Sequence, residues 1–159
     1  METAEIIAFL KDFAFLLVTF GVFFVYAMAK GRYAIINLIF GLYIALLITY
    51  VFPFWKYFPQ DVGDGGGTAK IIMFIAILVV AVMLFRRHIP GDDFENALHN
   101  FWTKALLASM ATILVMLFSI HILPVSDIIN PGTPIEAIFA PEEYFFWWLI
   151  LPLVALFFV

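Results

Sequence analysis

Cysteine is absent from the 159 residues, which removes disulfides, thiolate metal sites and cysteine nucleophiles together. Charge is scarce as well. Asp, Glu, Lys and Arg make up 13% of the chain, against roughly 25% in a soluble domain. Histidine occurs only as His88, His99 and His121, and no zinc-protease motif or metal-ligand cluster is formed around them. The apolar runs lack the polar–apolar alternation that a membrane barrel strand needs. Nucleophile–base pairs are missing too; His121 with Ser119 is too thin a basis for an intramembrane dyad. The expectation is a protein that is not an enzyme, with no catalytic residue, no metal site and no cofactor.

What the chain has in excess is apolar surface, at 65% hydrophobic residues. A single domain of this length still exposes much of itself and could not hide that surface from water. The solvent for most side chains is therefore lipid. A crossing takes about 20 apolar residues for roughly 30 Å of hydrocarbon. Four runs qualify, at 13–29, 33–55, 68–85 and 105–125, and 144–159 is a fifth candidate. In lipid the backbone must satisfy itself, so each run is a helix. The predicted fold is an all-α membrane protein, one domain built as a bundle of four to five transmembrane helices. The first run can be lengthened by Ile6–Leu10, and it ends at Lys-Gly-Arg instead of a small-residue cleavage site, so it reads as retained. The fifth contains Pro152, and a full crossing, a partial one and a continuation in a longer chain all remain open.

Between Phe13 and Trp55 the chain runs 43 residues with little polarity beyond Lys30, Arg32, Asn37 and a few hydroxyls. A single helix through that run would be about 65 Å long, about twice the bilayer. A charged site at mid-membrane would need partners, and neither flanking run contains an acid. Lys30-Gly31-Arg32 therefore reads as the turn of a helical hairpin, with Gly31 supplying the permissive backbone. Lys30, Arg32, Arg86, Arg87 and Lys104 fall on one side of the predicted topology, and Lys11, Lys56 and Lys70 on the other. The positive-inside rule then puts the first group in the cytoplasm and the N-terminus outside, with Lys30, Arg32, Arg86 and Arg87 as topology anchors.

The connectors are informative in different degrees. "KYFPQDVGDGGGTAK" (56–70) lacks both the Gly-Lys-Ser/Thr of a phosphate loop and the carboxylate spacing of a calcium loop, and reads as a plain outer loop. "GDDFENALHNFWTK" (91–104) places Phe94, Leu98, Phe101 and Trp102 on one helical face, with Asp92 and Glu95 as a capping pair. It predicts a short cytoplasmic amphipathic helix before the fourth span, serving as a membrane-surface anchor or a docking element. Further on, Thr133, Pro134 and Glu136 predict a helix of about one and a half turns. Pro141 then starts the last span, with Glu142 and Glu143 at the positive end of its dipole. Tyr144, Trp147 and Trp148 suit an aromatic belt.

Candidate functional positions are few. Asn37, Gly41, Ala45 and Thr49 recur every four residues on the second span, and Ala105, Ala108, Ser109 and Thr112 form a small face on the fourth. Such faces let helices approach closely in lipid, so these two are expected to pack on each other or across a subunit boundary. Asn37 and Thr49 are alternatively the wall of a solute path. His121, one turn from the outer end of its span, is either a structural histidine or part of that path. The stretch "PEEYFFWW" (141–148) is similar to a quinol-site segment of cytochrome b, but two of the three histidines lie outside the spans, which leaves no pair to ligate haem.

The segment "FGVFFVYAMAKGRYAIINLIFGLYIALLITYVFPFW" (20–55) resembles the opening of the colicin V production protein family, with a first span, a Gly-Arg-containing turn and a second span bearing glycine and small residues. It covers about a quarter of the chain, and the following spans agree with that family's usual four. The resemblance implies a bacterial inner-membrane protein tied to toxin export or envelope homeostasis, with no assigned reaction. The expected mode of action is helix–helix assembly; the alternative is a subunit of an oligomeric transporter or channel with a path near Asn37, Thr49 and His121. Expected partners are the lipid bilayer and a second copy or another membrane protein, and not nucleic acid.

Overall fold

The computed structural model describes residues 3–53, 65–88, 101–121 and 134–158. They form α1 (Thr3–Lys30), α2 (Arg32–Val51), α3 (Gly65–His88), α4 (Phe101–His121), α5 (Pro134–Phe139) and α6 (Glu142–Phe158), with no strand among the described residues. Four helices contain segments long and apolar enough to cross a bilayer: Phe9–Lys30, Arg32–Val51, Ala69–Arg87 and Phe101–His121. The all-α bundle expected from composition is what forms. The 56–64 part of the glycine-rich connector and the 91–100 part of the amphipathic segment lie outside the described residues.

Helix ends follow local chemistry. α1 closes with the Gly31 amide donating to the Ala27 carbonyl at 3.0 Å, and Gly31 then turns at φ 84°, ψ 172° so that α2 starts at the next residue. That backbone region is essentially reserved for glycine, so one residue makes the hairpin turn. α2 ends at Val51, short of the predicted Trp55, because Phe52 precedes Pro53 and is pushed to extended backbone (φ −62°, ψ 114°). α5 forms where its capping residues predict. Pro141 stands just ahead of α6, its carbonyl accepting from the Tyr144 amide at 3.0 Å. At 17 residues, α6 is about 25 Å long, and Pro152 leaves the Trp148 carbonyl without its usual i+4 donor.

α4 is the centre. It packs against α1, α2, α5 and α6, whereas α3 packs chiefly on α2 and reaches α4 through the Phe74–Phe118 ring contact at 6.1 Å. Of the membrane-length window of α4, 61% is buried inside the bundle, against 11% for α1 and for α3. Ile35, Ile39 and Leu42 of α2 join Leu107, Leu114 and Leu117 of α4 in one core cluster. Lipid tails are as apolar as leucine, so this core is held by close packing and not by expulsion of water. α6 is fastened at two points. The Tyr43 hydroxyl of α2 donates to the Leu149 carbonyl, and Trp148 Nε1 donates to the Ile138 carbonyl of α5 at 3.0 Å.

Candidate functional site

Among the described residues the candidates for chemistry are the polar groups of the bundle interior, and several of their hydroxyls are tied to their own helices. Thr19 Oγ1 donates to the Phe15 carbonyl (2.8 Å), Ser109 Oγ to Ala105 (2.9 Å), Thr112 Oγ1 to Ala108 (2.8 Å) and Ser119 Oγ to Val115 (2.8 Å). Each bond runs to the carbonyl one turn back, the local solution a hydroxyl finds in a lipid-embedded helix. His121 does the same, its Nδ1 lying 3.2 Å from the Leu117 carbonyl. A carbonyl only accepts, so Nδ1 carries the proton. The ring also packs on Phe145 at 4.7 Å between centroids, and its buried Nε2 has no hydrogen-bond partner among the described residues.

The helices that carry the two small faces pack on each other as expected, but each face also serves a second neighbour. α2 and α4 do pack against each other, but Gly41 backs onto α3. A methyl there would stand 2.7 Å from Val82 Cγ2 and 3.4 Å from Leu78 Cδ1. Ser109 and Thr112 instead line a recess of about 130 Å³ with Leu16 and Phe20 of α1 and Phe139 of α5. The reason is geometric. A four-residue step turns about 400°, so a stripe of three such steps drifts by about 120° and serves two neighbours, not one. Asn37, Gly41, Ala45 and Thr49 are all buried, as is Thr112, while Ser109 and His121 are half-buried.

Two charged residues lie where the sequence reading did not put them. Asp12 is carried into the bundle because α1 begins at Thr3, and Lys104, assigned to a connector, sits inside α4. Both side chains are fully buried, at 0% exposure. A signal for Lys104 existed: it lies four residues before Ala108 and eight before Thr112, on the buried face of its helix.

The depth of these groups follows from the aromatic contacts between helices. Phe24 meets Phe101 at 5.4 Å, Phe40 meets Phe85 at 5.8 Å, and Phe74 meets Phe118. With the helices antiparallel, this register sets Lys104 at a depth similar to Asn37. Asp12 lies twelve residues from Phe24 and Lys104 three from Phe101, which separates the two charges by about 13 Å along the bundle. They are not an ion pair. The Lys104 ammonium, Nζ, has no hydrogen-bond partner among the described residues. Uncompensated burial of an ammonium costs several kcal/mol even after relaxation, on the order of what holds a small domain together.

Among the described residues no group of three or more His, Asp or Glu gathers where a metal ion could be held. Comparison with protein-family models, with curated proteins and with solved structures returns no match for this chain.

Proposed function

We propose that the protein is a non-enzymatic multi-span membrane protein that acts through helix–helix assembly, with a second copy of itself or with another membrane protein. The observation carrying this reading is the direction of the interior hydroxyls. Thr19, Ser109, Thr112 and Ser119 all bond back into their own helices, and Tyr43 and Trp148 fasten α6. Donors used in this way are not presented to a solute. A bundle with such an interior acts at its lipid-facing surface. The resemblance of residues 20–55 to the colicin V production protein family supports a place in a bacterial inner membrane, in export or envelope homeostasis. The basic residues at the Lys30–Arg32 end support the cytoplasmic assignment of that end, with Lys104 acting as an orientation signal at insertion before it is enclosed.

The test is the mass of the chain extracted into lipid nanodiscs. More than one polypeptide per disc, its own or a partner's, is the expected result; a lone chain that conducts in liposomes would overturn the reading. For orientation, Asp64→Cys and Asn96→Cys should label from opposite faces of the membrane. Labelling of both from one face would refute the span count.

Lys104 favours a second reading, a transporter or channel subunit whose path passes Asn37, Thr49 and His121. An ionisable group inside a membrane protein marks such paths, and a buried amine would take an anionic solute. In that case Lys104→Met abolishes solute flux in liposomes, whereas the assembly reading has no flux to abolish.

A further inference from the structure

We propose that the groove between α2 and α3 binds one anionic phospholipid from the leaflet at the Arg87 end, with the acyl chain along the groove and the phosphate on Arg87. The groove has a volume of about 640 Å³ and an apolar lining that includes Ile44 and Ile48 of α2 and Ala76, Val80, Ala81 and Leu84 of α3. Ile48, Val80 and Leu84 are exposed, so it opens away from the bundle along its length. Ala81 is buried and gives the groove its depth beside α2, while Ala76, about 140° round the helix, is exposed and leaves its outer edge low among Ile, Val and Leu.

The length identifies the occupant. Along α3 the lining runs from Ala76 to Phe85, nine residues or about 14 Å. Half the hydrocarbon core is about 15 Å. The groove therefore reaches from the basic end to about mid-membrane, the extent of one lipid tail. A helix from a second copy would cross the whole core and would be matched by a seam twice as long.

Charge selects the headgroup. Arg87 lies three, seven and eleven residues beyond Leu84, Val80 and Ala76, which puts it on the face that lines the groove, about half a turn past its last lining residue, Phe85. Arg86 is two residues from Leu84, about 160° round the helix, and faces away. Both arginines are exposed. A guanidinium matches a phosphate with two parallel hydrogen bonds, and basic residues at helix ends draw anionic lipids to the membrane surface. A phosphatidylcholine has the same tails and phosphate, but its own cation already neutralises that phosphate.

The experiment is native mass spectrometry of the full chain released from detergent, with phosphatidylglycerol and phosphatidylcholine of identical acyl chains supplied together. One retained phosphatidylglycerol per chain is expected, preferred about fivefold, the factor one arginine near the surface contributes. Arg87→Gln should remove the preference while tail binding persists. Arg86→Gln should leave it intact, and Ala76→Phe, which fills the groove, should lose the bound lipid of either kind. Equal retention of the two lipids by the unaltered chain would overturn the proposal, and this arm depends on no variant folding. Loss of preference in Arg86→Gln to the same degree as in Arg87→Gln would also overturn it. So would a dimer that Ala76→Phe converts to monomer with no change in lipid count, because the groove would then hold a second chain.

Discussion

α4 and α3 are both long, apolar helices, yet one is the centre of the bundle and the other its edge, with 61% and 11% of their membrane-length windows buried. α4 brings Ala105, Ala108, Ser109, Ala111 and Thr112 to its neighbours, whereas the middle of α3 is dominated by Ile, Val and Leu. Where lipid removes any hydrophobic advantage of burial, the helix with the smaller side chains is the one that others can approach from several sides. α3 is then held by a local fit to α2, at Gly41 against Val82, and the rest of its surface meets lipid.

This contrast can be broken experimentally in order of effect. Leu114 is fully buried in α4, and Leu114→Ala should cost about 2–4 kcal/mol in equilibrium unfolding in bicelles, from the packing lost around the cavity. A cost below 0.5 kcal/mol would mean that α4 is not the centre. Gly41→Leu adds a Cβ that would stand 2.7 Å from Val82 Cγ2 and should cost about 1–3 kcal/mol. It should also free α3 from α2, which a disulfide cross-link engineered between the two helices would report as lost. Ile75 on α3 is exposed; Ile75→Ala should change stability by no more than about 0.5 kcal/mol, and a larger loss would place α3 inside an unseen contact.

The hairpin turn was legible in the sequence because only one reading of Lys30-Gly31-Arg32 avoids both a helix twice the bilayer and unpaired charge in lipid. The backbone bears it out with the glycine-only conformation at Gly31. α5 was legible for a similar reason, since its capping residues act within one turn. The packing of the second helix on the fourth was legible, but which small residue meets which neighbour was not, because a four-residue repeat identifies a buried side without saying which helix occupies each part of a 120° arc. Lys104 was hidden by its position at the edge of an apolar run, where a lysine ordinarily extends toward the headgroups. Its spacing to Ala108 and Thr112 points to the buried face, and the packing around α4 leaves the side chain fully enclosed. Asp12 falls inside the first helix once Ile6–Leu10 lengthen it, but nothing in its neighbouring residues shows that the bundle covers this turn of α1.

The central claim is that the bundle interior serves packing, so that the Lys104 amine, fully buried and with no hydrogen-bond partner among the described residues, is a cost to the folded state. Equilibrium unfolding of Lys104→Met in bicelles tests this most directly. The variant should be more stable than the parent by about 2 kcal/mol, the direction seen when buried charge gives way to a well-packed apolar side chain. A variant less stable than the parent would contradict the claim and show that the amine holds a counter-charge on which the fold depends.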